Sequence, residues 1–321
     1  MSKAANPSEL GPVQLRLMQG LAQEVTLLCP EILVGGATVG ELAWNFGKDR
    51  EAIGYTWRHR LWSRGDGSGC LDAWAWVQLP FSVIRTDGSV GAFHSANLTW
   101  QVHPDHPELL DEILDWYAGQ AGDIDRYVIP QDADAAMLVR LPAYGYSLDA
   151  EGAGDGGDWH QCNRRSLANL SDPALPTGFR FCSAADVGPE AATRAHIDAW
   201  YPSSFPATGM AGVQATWPYR ADLHLLVEAP DGTLAATAII WLDPISRTAE
   251  FEPVGTHRTH RRQGLATALM WYGMHRAREA GADTALVACL GAAAHPAARD
   301  LYYRVGFTPI SRDVPYLRLA Q

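Results

Sequence analysis

The second half of the chain alternates apolar runs with turn residues in an order that predicts strands and helices. Residues 284–290 are continuously apolar, as in a buried central strand. Residues 265–281 instead place apolar side chains at helical spacing and end at a glycine. The predicted elements, in chain order, are a strand at 179–184, a helix at 188–200, a hairpin turning at Asp231-Gly232, a strand at 249–257, a helix at 265–281, a strand at 284–290, a helix from His295 to Gly306 and a closing pair of strands. This order predicts a mixed α/β sheet domain.

The first half repeats this order less clearly. Apolar runs at 71–79 and 91–103 flank a turn at Asp87-Gly88, and a helical pattern follows at 107–119. Three dipeptides recur in the same order in the two halves: Asp87-Gly88 with Asp231-Gly232, Trp116-Tyr117 with Trp271-Tyr272, and Gly145-Tyr146 with Gly306-Phe307. Three matches in similar local settings favour an internal duplication over chance.

The length of 321 residues is typical of two domains. The glycine-rich stretch 149–158 is either an interdomain linker or a long hairpin loop within the first domain. We favour the loop, because residues 159–167 after it need a strand to pair with. The proline-rich stretch 171–178 then marks the boundary, and we predict domains at 1–170 and 171–321.

Composition and charge restrict the classes of partner. With 47% hydrophobic residues, 19% charged residues and a formal net charge of −11, the chain has a globular composition that disfavours nucleic acids and anionic membranes as partners. Five dispersed cysteines without a CxxC pair predict reduced thiols. No stretch has the layout of a signal peptide, and no apolar run approaches the roughly 20 residues that cross a bilayer. These features predict a cytoplasmic protein, and the scarcity of lysine beside abundant arginine fits a GC-rich bacterial genome.

A basic loop before the helix at 265–281 is the strongest candidate for a ligand site. The first N–H groups of a helix lack internal partners and, together with the helix dipole, attract anions. Gly264 lets the backbone approach an anion closely, Ala266 keeps the next turn open, and Arg261 and Arg262 add positive charge. A solvated basic loop is the alternative, and a run this short in an acidic chain disfavours a nucleic-acid site.

The segment Arg261-Arg262-Gln263-Gly264-Leu265-Ala266 resembles the (Q/R)-x-x-G-x-(G/A) signature of the GNAT superfamily of acyl-CoA-dependent N-acyltransferases. Residues 250–257 look like the central strand of that family. Residues 295–307 are similar to its N-x-x-A-x-x-L-Y-x-x-x-G-F segment, with His295 in place of the usual Asn. The resemblance covers roughly residues 176–321. With the internal repeat, it implies two tandem GNAT-like domains, each a mixed, mostly antiparallel sheet flanked by helices, and acetyl-CoA as co-substrate.

The resemblance also implies which residues hold coenzyme A. Backbone N–H groups from 262 to 267 would bind its pyrophosphate, and residues 254–256 would pair with its pantetheine arm like a strand. His295 either hydrogen-bonds this arm, as Asn would, or merely starts a helix. The implied cofactor-binding residues are Val254, Gly255, Thr256, Arg261, Arg262, Gln263, Gly264, Leu265, Ala266, Thr267, His295 and Ala298.

Three side chains are candidates for the proton transfers that amine acylation requires. Glu250 and Glu252 lie two apart on a strand and share a face unless a bulge intervenes, so either is a candidate base. Solvent exposure or pairing with arginine is the alternative for both. Tyr302 matches the tyrosine that in many relatives of the family gives a proton to the CoA sulfur, and core packing is its alternative.

The first half has lost the basic loop. Aligning the two Trp-Tyr pairs places Leu109 at Gly264 and Asp111 at Ala266, where a side chain blocks the backbone and a carboxylate repels phosphate. We therefore predict that residues 1–170 keep the fold without CoA binding or catalysis. They would shape the acceptor pocket or replace a dimer partner.

The predicted function is direct transfer of an acetyl group from acetyl-CoA to a primary amine of a small molecule, either a metabolite or an antibiotic-type amine. A protein or peptide acceptor and a non-catalytic acyl-CoA sensor are the alternatives. His257 and His260 are spaced like metal ligands, but no third ligand has a useful spacing, so no metal site is expected. Five aromatic residues either pack around the amine or seal the domain interface: Trp200, Tyr201, Phe205, Trp217 and Tyr219. The acceptor, the acyl chain length and the choice between monomer and homodimer stay open.

Overall fold

The computed structural model describes residues 10–33, 37–48, 57–206 and 208–321. The helices in these ranges are α1 (Pro12–Leu28), α2 (Val39–Lys48), α3 (Leu109–Ala121), α4 (Ala135–Leu138), α5 (Ala184–Val187), α6 (Pro189–Ala199), α7 (Gly209–Gln214), α8 (Leu265–Glu279) and α9 (Pro296–Arg304). The strands are β1 (Trp57–Ser63), β2 (Leu71–Gln78), β3 (Phe81–Ile84), β4 (Val90–Phe93), β5 (Ala96–Val102), β6 (Arg126–Val128), β7 (Ser147–Leu148), β8 (His160–Ser166), β9 (Arg180–Ser183), β10 (His224–Glu228), β11 (Leu234–Asp243), β12 (Thr248–Thr256), β13 (Thr284–Leu290), β14 (Thr308–Arg312) and β15 (Tyr316–Arg318). The predicted α/β class is confirmed.

The strands form two large sheets and one small hairpin. The first sheet has the order β1-β2-β5-β6-β15-β7, and the second has the order β14-β8-β13-β12-β11-β10-β9. Strands β3 and β4 pair only with each other within the described residues. Each large sheet has one parallel pair there, β5 with β6 in the first and β12 with β13 in the second. The predicted mixed, mostly antiparallel sheets are therefore confirmed.

The two sheets exchange a strand. Strand β8 belongs to the first half of the chain but pairs with β13 and β14 of the second sheet, whereas the last strand, β15, pairs with β6 and β7 of the first. The predicted hairpin loop at 149–158 within the first domain is therefore wrong, because the strand after it joins the other sheet. The predicted closing strand pair is also wrong, because β14 and β15 lie in different sheets. The boundary at 170/171 stays a prediction, and strand pairing crosses it in both directions.

The two halves share one arrangement of strands and helices. Strands β2, β5 and β6 with helix α3 have the order and pairing of β11, β12 and β13 with helix α8. Trp116-Tyr117 and Trp271-Tyr272 lie in these corresponding helices. Asp87-Gly88 and Asp231-Gly232 are not equivalent, because the first turns in the separate β3–β4 hairpin and the second joins β10 to β11.

Each large sheet packs on its own apolar core. The first core buries the aromatic rings of Trp74, Trp76 and Tyr117, and the second buries Phe251 of β12 against Leu269 of α8. Full burial of a side chain of this size contributes roughly 1.5–3 kcal/mol. In the second core Phe251 points toward α8, so the neighbouring residues of β12 face the opposite side of the sheet.

Helix α2 of the first half packs on that opposite side of the second sheet. The ring of Trp44 stacks on Phe205 with centroids 5.0 Å apart. A Cβ atom at Gly40 would lie 2.3 Å from the Trp241 ring and 2.6 Å from a carboxylate oxygen of Glu250. Helix α2 can therefore approach β11 and β12 this closely only because residue 40 is a glycine. No helix in the described residues combines the length and the apolar character needed to span a lipid bilayer.

Candidate active site

A cleft opens where β12 and β13 diverge. The two strands pair only from Thr248 opposite Thr284 to Glu250 opposite Leu286, although β12 continues to Thr256. The cleft has a volume of about 690 Å³ and lies between the end of β12, the start of α8 and helix α9. The predicted site residues that line it are Val254, Gly255, Thr256, Arg261, Arg262, Gly264, Leu265, Ala266, Thr267, Ala298 and Tyr302. Folding thus brings most of the predicted cofactor residues and one catalytic candidate to a single cavity.

The N-terminus of helix α8 faces this cleft with free backbone donors. Gly264 is the N-cap residue with φ +80°, and the first helical hydrogen bond runs from the N–H of Ala268 to the carbonyl of Gly264, at 3.0 Å. Among the described residues, no side chain caps this helix and the N–H groups of 265–267 have no acceptor. Unpaired amides at a helix N-terminus are the usual protein ligands of a phosphate group. The glycine is required here by its left-handed backbone conformation.

The two arginines before the helix differ in role. The guanidinium of Arg261 donates to the carbonyls of Thr256, at 3.2 Å, and Ala199, at 3.3 Å. It therefore ties the end of β12 to helix α6, and its charge still lies beside the cleft. Arg262 is exposed and has a φ of +66°. Its side chain is thus available to an anionic ligand.

Two predicted cofactor residues lie outside the cleft lining. Gln263 is exposed, and His295 is the N-cap residue of α9, with its Nε2 atom 3.3 Å from Oδ1 of Asp158. Sequence reasoning missed His260 and Arg304, which do line the cleft. Arg304 follows the motif residue Leu301 by three positions in α9, and this helical spacing could have revealed it.

The end of β12 presents an open backbone edge to the cleft. Residues 254–256 pair with residues 236–238 of β11 on one side. On the other side the described residues contain no paired strand beyond Glu250. The Trp200 ring lies against Gly255. An extended ligand arm can hydrogen-bond to this edge as an additional strand would.

A bulge in β12 separates the two candidate bases. Ile240 lies opposite Phe251 and Ala238 lies opposite Val254, so β12 carries one extra residue at positions 252–253. The two-residue spacing of Glu250 and Glu252 therefore does not by itself put their side chains on the same face of the strand.

Glu250 is held by the first turn of α2. Its side chain is 9% exposed, and its carboxylate accepts hydrogen bonds from the hydroxyl of Thr38 and the backbone N–H of Glu41. The Thr38 hydroxyl in turn accepts from that same N–H at 3.0 Å. The carboxylate of Glu250 is thus fixed at a helix N-terminus of the first half, as a capping group would be.

Glu250, Glu41 of α2 and Glu252 of β12 together form a cluster of three carboxyl groups, which we call the glutamate cluster. Glu41 and Glu252 are partly exposed, unlike Glu250. Burial, followed by the negative charge of Glu41, raises the pKa of Glu250 to about 8 and that of Glu252 well above its usual range. Burial also raises the pKa of Glu41, and the positive charges of Lys48 and His160 oppose this effect. Sequence reasoning missed Glu41, and no local signal marked it, because only folding brings it beside β12.

The glutamate cluster makes stability depend on pH. An unfolded glutamate ionises near pH 4.3, whereas Glu250 in the folded chain keeps its proton to about pH 8. Between about pH 5 and pH 8 the folded state therefore binds more protons than the unfolded state. The free energy of unfolding is expected to fall as the pH rises through this range. Glu250→Gln should flatten this slope in denaturant unfolding at pH 5, 6.5 and 8. The exposed Glu190→Gln is the control, and an unchanged slope in Glu250→Gln would contradict the effect.

Tyr302 lies in the cleft with its side chain 5% exposed. Burial, with a further contribution from the negative charge of Glu252, raises its pKa, so the phenol is protonated at neutral pH. Its neighbour Tyr303 points away, and its hydroxyl lies 2.8 Å from the amide nitrogen of Gln161. Tyr302 is thus a protonated phenol in the cleft, close enough to Glu252 for that charge to affect its pKa.

Two of the aromatic residues between 200 and 219, Phe205 and Trp217, contact the first half of the chain. Phe205 stacks on Trp44, and the guanidinium of Arg16 lies 3.5 Å from the Trp217 ring centroid. Tyr219 instead packs on Trp241, and its hydroxyl lies 3.0 Å from Nδ1 of His224. These contacts favour the interface role over the amine-binding role for Phe205 and Trp217.

Comparison with known proteins agrees with the geometry of the cleft. Residues 191–307 match the family model described as the acetyltransferase (GNAT) family. No curated protein sequence matches the chain. A GCN5-related N-acetyltransferase from Sphaerobacter thermophilus has a similar structure over 98% of this chain and 95% of its own, at 15% identity and a TM-score of 0.56.

A second similar structure is a tandem GNAT protein from the clavulanic acid biosynthesis pathway. It covers 94% of each chain at 14% identity, with a TM-score of 0.60. A Drosophila protein is also similar, over 98% of each chain at 14% identity, with a TM-score of 0.53.

At these identities the three structures show the fold alone, and they show it for both halves together. The family model adds the acyltransferase class for the second half. Residues 191–307 are therefore the part of the chain that matches the acetyltransferase (GNAT) family, and both halves share the fold of tandem GNAT proteins.

Proposed function

We propose that the protein transfers an acetyl group from acetyl-CoA directly to a primary amine of a small molecule. The observation that carries this proposal is one cleft lined both by the start of α8, with its unpaired amides, and by Tyr302, whose pKa responds to the charge of Glu252. Such a cleft offers the anion site, the strand-like edge and the proton donor that a CoA thioester requires.

The residues of the cleft fit coenzyme A. The N–H groups of 265–267 would hold the diphosphate, with Arg262 beside it, and the edge of residues 254–256 would pair with the pantetheine arm. The acetyl thioester would then lie toward Tyr302. Acetyl-CoA supplies the activated acetyl group, and the protein supplies orientation and proton transfer.

Glu252 is the better candidate for the base. Glu250 is fixed by Thr38 and the first turn of α2, whereas Glu252 is partly exposed and close enough to Tyr302 to affect its pKa. Glu252 would accept a proton from the acceptor ammonium, directly or through water. The amine nitrogen then forms a bond to the acetyl carbon, the carbon–sulfur bond breaks, and Tyr302 gives its proton to the leaving sulfur. The acylated nitrogen loses its second proton to the Tyr302 phenolate, directly or through water, which leaves a neutral amide and the free thiol.

The glutamate cluster supports a cationic acceptor. Among the described residues, Lys48 and His160 are the positive groups that lower the pKa of Glu41, so few positive groups would compete with a cationic acceptor there. The similar tandem protein is described as part of the clavulanic acid biosynthesis pathway. The second point supports a small-molecule amine over a peptide acceptor.

The test is cofactor binding followed by turnover. Acetyl-CoA should raise the melting temperature in a concentration-dependent way, as RT ln(1 + [L]/Kd) requires. Thiol release should then depend on a small amine from a panel that also contains basic peptides. Turnover with peptides alone would favour the peptide acceptor, and binding without turnover on any amine would favour the sensor. No melting shift at millimolar acetyl-CoA would refute the proposal.

Glu252→Gln is expected to lower kcat by roughly 100-fold, since a general base contributes about 10²–10⁴. In the wild type, kcat/KM for the acceptor should rise with pH through the raised pKa of Glu252, because the base must be ionised. The variant should lose this rise. Glu250→Gln is the matched control and should keep most of the activity; a larger loss there would assign the base to Glu250.

A further inference from the structure

The first half of the chain contains a cavity at the place that corresponds to the cofactor cleft. Strands β5 and β6 pair in parallel only from Ala96 opposite Arg126 to Leu98 opposite Val128, while β5 continues to Val102. This repeats the divergence of β12 and β13. A cavity of about 230 Å³ lies there, between the end of β5 and the starts of α3 and α4.

Within the described residues, this cavity lacks an anion site like that of α8, and the His103 ring in its lining already lies 3.7 Å from carboxylate oxygens of Glu24 and Asp105. The N-cap residue of α3 is Glu108, and the first turn also carries Asp111 and Glu112. The first N–H groups of α3 already have acceptors, unlike those of α8. The N–H of Leu109 donates to the carbonyl of His106 at 3.1 Å, and that of Leu110 donates to the carbonyl of Pro107 at 3.3 Å. A diphosphate would meet carboxylates and few free donors here.

The walls of the cavity are mostly apolar, with Val25, Ile32, Trp100, Val102, Leu110 and Ala136 among them. Its buried polar groups already have partners. Gln101 accepts from the Trp74 indole and donates to the carbonyl of Ala37, and the Asp134 carboxylate accepts from the backbone N–H of Met137. Burial raises the pKa of Asp134. A ligand in this cavity would therefore contact mainly apolar surface. Neither Gln101 nor Asp134 would offer it a free charged partner.

We propose that this cavity is a second ligand site, which binds a small neutral apolar molecule of the size of a substituted benzene ring. The volume of about 230 Å³ exceeds the roughly 150 Å³ of an engineered apolar cavity that binds benzene. The site does not depend on the proposed acyl transfer, because none of its walls belongs to the cofactor cleft.

The test uses fluorinated toluene as the probe and ¹⁹F NMR as the readout, with the full chain and with CoA added to fill the cofactor cleft. The toluene should bind in the millimolar range or tighter, and fluorobenzoate, of similar size but charged, should bind at least about tenfold more weakly. Absence of toluene binding, or equal binding of fluorobenzoate, would overturn the proposal.

Two variants locate the probe. Ala136→Leu from α4 and Val102→Phe from β5 place new side-chain atoms in the cavity from different walls. Each should weaken toluene binding at least about tenfold, which is about 1.4 kcal/mol. Ala118→Leu on α3, outside the cavity lining, is the control and should bind as the wild type does. A melting curve verifies folding, and wild-type affinity in a folded filled variant would show that the probe binds elsewhere.

Discussion

Gly264→Glu is expected to lower the affinity for acetyl-CoA by about 100-fold or more. A Cβ atom at residue 264 meets no other atom within 4 Å, so the new side chain enters open space beside the amides of α8. Its carboxylate would lie next to the proposed diphosphate site, and two like charges about 4 Å apart repel by several kcal/mol at an effective dielectric constant of about 20. Isothermal titration calorimetry with acetyl-CoA measures the effect.

Two controls separate charge from backbone strain. Gly264→Ala carries the same cost of a side chain at φ +80°, roughly 1–2 kcal/mol, without the charge. It should lose stability but keep most of the affinity. Gly281→Glu adds the same charge at another glycine of positive φ, at the far end of α8, and should bind normally. Wild-type affinity in Gly264→Glu would refute the anion site.

Tyr302→Phe is expected to lower kcat by roughly 10²–10³-fold while the Kd for acetyl-CoA changes little. The substitution removes only the hydroxyl, and the ring keeps its packing near Phe307, at a centroid distance of 6.0 Å. General acid catalysis is worth about 10²–10⁴, so its loss should appear in turnover. Thiol release gives kcat, and calorimetry gives Kd.

Tyr303→Phe is the matched control for this substitution. It removes a hydroxyl one residue away that bonds Gln161 outside the cleft. It should affect stability by about 1 kcal/mol at most and leave kcat unchanged. Equal turnover in Tyr302→Phe and the wild type would remove Tyr302 from the mechanism and leave it a role in core packing.

The elements that form the proposed cofactor cleft could be predicted from sequence because they are local. The strand end at 254–256, the turn at Gly264 and the start of α8 follow one another along the chain. Apolar periodicity and glycine position therefore predict these elements without knowledge of distant contacts. The strand β13 and the helix α8 lie where the pattern placed them.

The glutamate cluster could not be predicted in this way. Glu41 and Thr38 reach Glu250 only because α2 crosses from the first half and because Gly40 permits close approach. The bulge at 252–253 that changes the relation of Glu250 to Glu252 depends on pairing with β11. Neither feature leaves a local pattern in the sequence.

The sequence by itself determined most of the helix and strand order of the second half and the repeat of that order in the first half, since each element depends on residues near one another in the chain. It also predicted the anion-binding turn, for the same reason. Only the tertiary structure decided that β8 and β15 change sheets and that the glutamate cluster draws on both halves. The physical reason is that strand pairing and the pKa values of buried carboxylates depend on neighbours in space, which the order of residues does not specify.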